Sequence, residues 1–420
     1  MIKIGFLGMG IVGSAAVDIL NNNKDIISQR VGKQCIVKTI CVKDISKKRT
    51  VDLKTATLTT NPDDVINDPE IDIVIEVIGG EFPKKWLLQA LKNGKHVVTA
   101  NKELVSKAKQ ELIDATHEKQ TFLMFEAAVG GGIPVIQSLS TALGANSMQS
   151  IFGILNGTTN FILTKIDEEG KDFAPVLKEA QDLGFAEANP HMDVSGLDAA
   201  YKLDILAAIA FQKNVGLEHI FYEGIENIQL KDINNARDLG YKIKLLGIGK
   251  KVEKGFVFKV HPCLIPKAHP IASVANEFNA VFVQGDAVGD SMLYGKGAGG
   301  FPTASAIVGD VIKIVQSKFC NTRKLESYTP VSIDDTDSKF YLRLSCNDTY
   351  GVIEKIAKVF SDNKISLEKF FQKDVKEEIA ELVFLTHSSL ERNMKNAVNK
   401  LKSIDDVLNV ETVLRVELDD

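Results

Sequence analysis

Four ionisable side chains stand out by type and spacing. Asp198 and Lys202 lie four residues apart in SGLDAAYKLDILAAIAF, so on a helix they share one face. At about 100° per residue, Ile205, Leu206 and Ile209 fall within about 60° of Lys202. The pair therefore sits on the face that should be buried. A charged pair there must be satisfied by partners, and in a cleft it is a candidate for proton transfer. Just upstream, in LGFAEANPHMD, Glu187 is an isolated glutamate before a turn-rich stretch. Lys102 closes the run KHVVTANK, where a strand gives way to a helix. The same residues also read without chemistry. An exposed i, i+4 Asp–Lys pair is worth about 0.2–0.5 kcal/mol, and Ser195 with Asp198 fits a capping box.

A second constellation opens the chain. IKIGFL reads as a short apolar strand, followed by GMGIVGSAAVDIL with Gly8, Gly10 and Gly13. G-x-G-x-x-G at a strand-to-helix junction allows a tight turn, and the helix N-terminus then faces a pyrophosphate. Gly8, Gly10, Ile11, Val12 and Gly13 are thus the candidate dinucleotide-binding residues. The next strand, CIVKTICV, ends in Lys43-Asp44, and Lys47, Lys48 and Arg49 follow. An acid at this strand end holds a ribose hydroxyl in NAD sites, whereas cations suit a 2′-phosphate. Lys43 stands first, so NADP(H) is favoured; Asp44 beside it leaves NAD(H) open.

These residues need elements to hold them. IDIVIEVIGG (71–80), KHVVTANK and QTFLMFEAAVGGGIP read as strands, separated by the helices KKWLLQALKNG and ELVSKAKQELIDATHEK. Such alternation implies a doubly wound parallel α/β sheet of the Rossmann type. Its strand ends at Gly79-Gly80, Asn101-Lys102 and Glu126 should gather at the carboxyl edge, where ligands bind. We place this domain at residues 1–134. An α+β substrate-binding and dimerisation domain follows at 135–318, with the helix at 302–318 packing back on the first domain. A polar linker at 319–338 leads to a βαββαβ unit at 339–420.

Composition narrows the classes. The 420 residues are 45% hydrophobic and 25% charged, with a net charge of −5, so no basic surface points to nucleic acid. No apolar run reaches membrane-spanning length. The five cysteines are scattered and read as reduced thiols. MIKIGFLG runs straight into a strand, leaving no signal peptide, so a cytoplasmic location is expected. The seven histidines show neither metal nor triad spacing.

Taken together, these segments resemble homoserine dehydrogenase, in the single-activity form with a C-terminal ACT domain. GFLGMGIVGS resembles its cofactor loop, TANKELV its strand-end lysine motif, EAAVGGGIPVI its cation loop and GILNGTTNFIL the start of its substrate domain. LGFAEANPHMDVSGLDAAYKLDILA resembles the signature stretch. FYLRLSCNDTYGVIEKIAKVF resembles an ACT (ferredoxin-like) opening, with Tyr350 where proline is usual. The resemblance implies NAD(P)H-dependent reduction of L-aspartate 4-semialdehyde to L-homoserine. Glu187 then matches the acid that binds the substrate amino group, Asp198 a carboxylate beside the reacting centre, Lys202 the catalytic lysine and Lys102 a second lysine near the nicotinamide. Gly184 and Gly299 match positions close to the cofactor. Glu126, Val129, Gly131 and Ile133 match positions that hold a sodium ion, largely through main-chain oxygens.

The implied chemistry suits these residue types. An alkoxide develops as hydride reaches the aldehyde, and a lysine, with an ordinary pKa of about 10.4, brings a proton and positive charge. Which of Lys202 and Lys102 gives the proton is open. The tail implies an amino-acid effector, threonine being the natural one, at Asn347, Asp348 and Gly351, and a homodimer or homotetramer. Two other readings compete: an ACT-bearing hydroxy-acid or prephenate dehydrogenase, which would want a catalytic histidine, and a non-catalytic amino-acid sensor.

Overall fold

Short apolar runs alternating with helices produce a six-stranded parallel sheet in the computed structural model, which describes residues 1–317, 324–376 and 378–419. In space its strands run Thr57–Thr59, Cys35–Cys41, Ile2–Leu7, Ile73–Glu76, His96–Thr99 and Leu123–Met124. That order, 3-2-1-4-5-6 by position in the chain, reverses direction at the first strand and is the doubly wound arrangement. Ile4, Phe6, Ile73 and Ile75 of the strands are fully buried because helices cover both faces. On one face Ala16, Val17 and Leu20 pack with Ala304, Ile307, Val308, Val311 and Ile314 of the helix Gly300–Gln316. On the other, Val65, Val74 and Val97 pack with Leu87, Leu91, Leu104 and Leu112. Truncating one such buried isoleucine or leucine to alanine costs about 2–5 kcal/mol.

The chain divides into two units. The first comprises residues 1–151, 201–219 and 279–328, and the second residues 152–200, 220–278 and 329–420. The helix Leu197–Phe211 therefore has its first turn in the second unit and the remainder, from Tyr201, in the first. Within the expected linker and the helix before it, residues 318–323, including Cys320, lie outside the described residues.

In the second unit the antiparallel strands Tyr241–Val252 and Gly255–Pro266 carry the sheet. The tail forms its βαββαβ unit from strand Asp337–Asn347, helix Val352–Asp362, strands Leu367–Lys376 and Ile379–Thr386, helix Glu391–Leu401 and strand Val407–Val416. Strand 337–347 lies between strands 379–386 and 407–416, antiparallel to both. The last strand also pairs in parallel with the hairpin, Cys263 opposite Arg415 and Leu264 opposite Val416. The tail's sheet is thus joined edge to edge with the strands of its unit.

Candidate active site

The glycine loop meets its backbone requirements one residue at a time. Gly8 has φ +99°, a conformation that favours glycine. A Cβ on Gly13 would stand 3.1 Å from the Gly8 carbonyl oxygen and from Val77, so glycine lets the helix Ile11–Asn22 approach the strand ends. A Cβ on Gly10 would meet nothing within 4 Å. Gly10 is the N-cap and supplies no side-chain cap, so the helix keeps its first N–H groups available for an anionic ligand. Ile11, in the first turn, is 81% exposed, and Val12 is half-buried.

At the end of the second strand Lys43 is exposed. Asp44 turns its carboxylate into its own loop, accepting from Ser46 N (2.8 Å) and Ser46 Oγ (2.7 Å), and these bonds hold its pKa below the usual value. Arg49 donates to the Asp44 and Lys47 carbonyls at 2.7 Å, while its buried Nε has no hydrogen-bond partner.

At the carboxyl edge an unanticipated residue organises the turn. Glu76 is fully buried and accepts from Ile78 N (2.7 Å), Gly79 N (3.1 Å) and Thr99 Oγ1 (2.5 Å). Asn101 caps the helix Lys102–Lys119 by accepting from Leu104 N (3.1 Å) and donates to the Gly80 carbonyl (2.6 Å). Lys102 therefore opens a helix whose start is tied to the double-glycine turn. Ser106 and Lys109 of this helix reach Asp204 of the helix that carries Lys202, at 2.6–2.8 Å. Lys202 is 9% exposed.

The loop Glu126–Ile133 folds through Gly130 and Gly131, with φ +74° and +54°. The Glu126 carboxylate accepts from the amides of Ile136 and Gln137, both at 2.7 Å. Burial pushes its pKa up against those amides. Asp310 accepts from Glu126 N (2.9 Å), and burial, with Glu126 nearby, pushes its carboxyl up to about 8. A Cβ on Gly131 would stand 2.5 Å from the Gly297 backbone, and Asn279 packs against Gly297. Asn279 is 1% exposed, yet neither of its amide atoms has a partner. The loop thus turns through two glycines beside a buried amide that lacks a partner. Among the described residues, no cluster of three or more His, Cys, Asp or Glu could hold a metal. Gly299, with φ +121°, caps the helix Gly300–Gln316.

In the second unit, Asn156 joins two carboxylates. Its Nδ2 donates to Asp193 (2.7 Å) and to Asp198 (2.8 Å), while its Oδ1 accepts from Thr159 N (2.8 Å) and caps the helix Gly157–Glu169. Asp198 is 2% exposed. Asn156 and Asp193 carried no signal in the sequence beyond lying in the two motif stretches. The capping box offered as the alternative at Ser195 does not form. Ser195 Oγ is buried without a hydrogen-bond partner, and the Asp198 carboxylate is engaged by Asn156. Glu187 is exposed, and its main-chain carbonyl accepts from Gln181 Nε2 (3.1 Å). Gly184, with φ +77°, forms the turn after the helix Phe173–Asp182.

Two of the histidines are built into the fold. His96 Nδ1 accepts from Phe122 N (3.0 Å), and fully buried His261 lies 3.5 Å from Glu417. In the tail, Asn347 N donates to the Asp406 carbonyl (2.8 Å) and Asp348 N to the Glu378 carbonyl (2.7 Å). Gly351, with φ +84°, then caps the helix Val352–Asp362, and Tyr350 is fully exposed. No described helix is long and apolar enough to cross a membrane.

Three family models match the chain: homoserine dehydrogenase, NAD binding domain, over residues 8–126; homoserine dehydrogenase over 134–312; and ACT domain over 340–406. Homoserine dehydrogenase of Bacillus subtilis is 42% identical, covering 99% of this chain and 98% of its own length. That of Neisseria gonorrhoeae is 38% identical, with the same two coverages. Among solved structures, a homoserine dehydrogenase from Thiobacillus denitrificans is 41% identical with a TM-score of 0.94, covering 99% of this chain and 98% of its own. A hyperthermophilic archaeal homoserine dehydrogenase in complex with NADPH is 27% identical with a TM-score of 0.65, covering 77% of this chain and 99% of its own.

Proposed function

The chain belongs to the homoserine dehydrogenase family, NAD(P)-dependent oxidoreductases that interconvert L-aspartate 4-semialdehyde and L-homoserine, and we propose which of its residues perform that reaction. The observation that carries the assignment is the Asn156 bridge, which holds Asp193 and Asp198 together one helical turn before buried Lys202. A carboxylate so fixed at Asp198 suits a substrate that carries an ammonium group. In this reading Glu187 and Asp198 bind that substrate, and Glu187 takes its amino group.

The bound nicotinamide supplies the hydride. Lys202 faces the aldehyde oxygen, offsets the negative charge developing there and gives it a proton; Lys102 is the second cation. In the oxidation direction Lys202 takes the alcohol proton back. The cofactor is held by Gly8, Gly10, Ile11, Val12, Gly13, Gly184 and Gly299, with Lys102 near its reactive end. NADP(H) is favoured because the Asp44 carboxylate is occupied by Ser46, while Lys43 is exposed at the end of the same strand. The archaeal relative carrying NADPH supports the same choice. Glu126, Val129, Gly131 and Ile133 would hold a sodium ion, which would brace the loop they form.

Threonine binds the turn of Asn347, Asp348 and Gly351, where exposed Tyr350 stands clear of the fold. The edge strand Gly289–Lys296, with exposed Met292 and Tyr294, supports a homodimer or homotetramer. The test is a steady-state assay with aspartate 4-semialdehyde, comparing wild type with Lys202→Ala. The variant should lose about 10²–10⁴-fold in kcat with the NADPH dissociation constant unchanged. A wild-type rate would remove Lys202 from the chemistry.

A further inference from the structure

We propose that Asp204 and Lys109 form a buried clamp that sets the position of Lys202 relative to Lys102, making both of them positioning residues for the hydride-transfer reaction. The proposal rests on the reading of Lys102 and Lys202 as the lysines of the site. Asp204 is fully buried and lies two residues beyond Lys202 on the helix Leu197–Phe211. Its carboxylate accepts from Lys109 Nζ at 2.6 and 2.8 Å, from Ser106 Oγ at 2.6 Å and from Gly216 N at 2.9 Å. Lys109 is 5% exposed and donates also to the Ser106 carbonyl at 3.1 Å.

The partners are placed where a clamp would act. Ser106 and Lys109 follow Lys102 by four and seven residues on one helix, so all three share a face, and Lys109 lies about 10 Å along the axis. The ion pair therefore connects two helices within one and two turns of their lysines. At the same seam Lys107 Nζ lies 5.6 Å from the centre of the Tyr201 ring, a second contact between the two helices beside Lys202. Gly216 N brings in the loop after the helix, so the carboxylate is held from two other segments. A buried ion pair is a weak source of net stability compared with apolar packing. What it adds is direction: one carboxylate held by three donors through four short contacts permits one registry between the helices.

The decisive variant is Lys109→Met with Asp204→Asn, which removes both charges and keeps an acceptor for Gly216 N. Folding is followed by circular dichroism, and activity is expressed per NADPH-binding site. We expect kcat to fall at least tenfold, and the deuterium isotope effect on kcat with 4-deuterated NADPH to rise as chemistry becomes limiting. Lys109→Arg, which keeps the pair, should return kcat to within threefold of wild type. A folded double variant with wild-type kcat and isotope effect overturns the clamp. If the double variant does not fold, Ser106→Ala decides, because it deletes one hydrogen bond and keeps the ion pair. A threefold or greater loss of kcat with a raised isotope effect supports the clamp, and wild-type values overturn it. Lys202→Ala assayed alongside separates the two layers. If it is inactive while the clamp variants match wild type, the clamp alone fails; if it matches wild type, the lysine reading fails and the clamp with it.

Discussion

Asn156 Nδ2 lies 2.8 Å from Asp198 Oδ2, and the orientation of that amide leaves no second choice. Its oxygen is taken by Thr159 N, so its nitrogen must face the carboxylates of Asp193 and Asp198. One residue thus caps a helix and holds two acids together.

Asn156→Ala should therefore separate two effects. Loss of the cap costs about 1 kcal/mol of stability, visible as a lower melting temperature. Loss of the bridge lets the acids move, and kcat/KM for the semialdehyde should fall by about 10²-fold, with NADPH affinity unchanged. Asn156→Asp, placing a third carboxylate against the other two, should be more damaging still. A variant that is less stable but equally active would assign Asn156 to the helix alone.

Lys43→Ala tests how the nucleotide is read. If Lys43 and Arg49 face a 2′-phosphate, the substitution should raise KM for NADPH about tenfold, close to 1.4 kcal/mol, and leave KM for NADH where it was. Arg49→Ala should act in the same direction. An equal change for both cofactors would mean that these cations touch neither nucleotide's ribose.

Much of this was legible in the sequence, and the remainder has a common reason for being hidden. Gly8, Gly10 and Gly13 announced themselves because a backbone constraint selects glycine locally. Asp198 and Lys202 did so because helical spacing is periodic. Asn156 meets Asp198 across 42 residues, Ser106 meets Asp204 across 98, and Glu76 meets Thr99 across 23. No periodicity encodes such pairings. The capping-box alternative at Ser195-x-x-Asp198 fails for the same reason: a distant amide engages the Asp198 carboxylate. The edge pairing of Cys263 with Arg415 is likewise a tertiary fact, which only the folded sheet reveals.

Lys244 predicts a pH dependence. It donates to Asn160 Oδ1 (2.9 Å) and the Val274 carbonyl (2.6 Å), both neutral, and burial, with Lys242 nearby, lowers its pKa to about 7. Between that value and its ordinary pKa of about 10.4, the unfolded chain keeps the proton that the folded chain gives up. Stability therefore rises with pH across this window, by at most about 1.4 kcal/mol per unit. Urea melts between about pH 7 and 10 should show wild type gaining on Lys244→Met as pH rises. Parallel profiles would mean that Lys244 stays charged in the fold.

The tail should prove inseparable from its unit. Strand Val407–Val416 covers the edge at Cys263 and Leu264, and Glu417, just beyond it, accepts from Lys259 Nζ at 2.5 Å beside His261. Burial would raise the Glu417 pKa, but Lys259 and His261 outweigh it and hold the carboxyl below its usual range. Arg343 binds Asp232 through Nε at 2.7 Å, and Arg415 joins Glu391 to Glu223 at 2.6–2.8 Å. Cutting the chain after Thr336 would strip Asp232 and Lys259 of these partners, and breaking a buried ion pair by removing one side costs about 3–5 kcal/mol. It would also bare the apolar edge of Gly255–Pro266, a template for aggregation. The truncated protein should be lost from the soluble fraction. Glu417→Gln, a milder cut at the same seam, should lower the melting temperature while leaving a measurable enzyme. Its deficit should be greatest near neutral pH and shrink in acid, because the stability that a depressed carboxyl contributes is lost as pH falls below about 4.3 towards its folded pKa. A soluble, fully active truncation would show instead that these buried pairs serve the tail alone, and that the edge-to-edge sheet is a contact the catalytic residues do without.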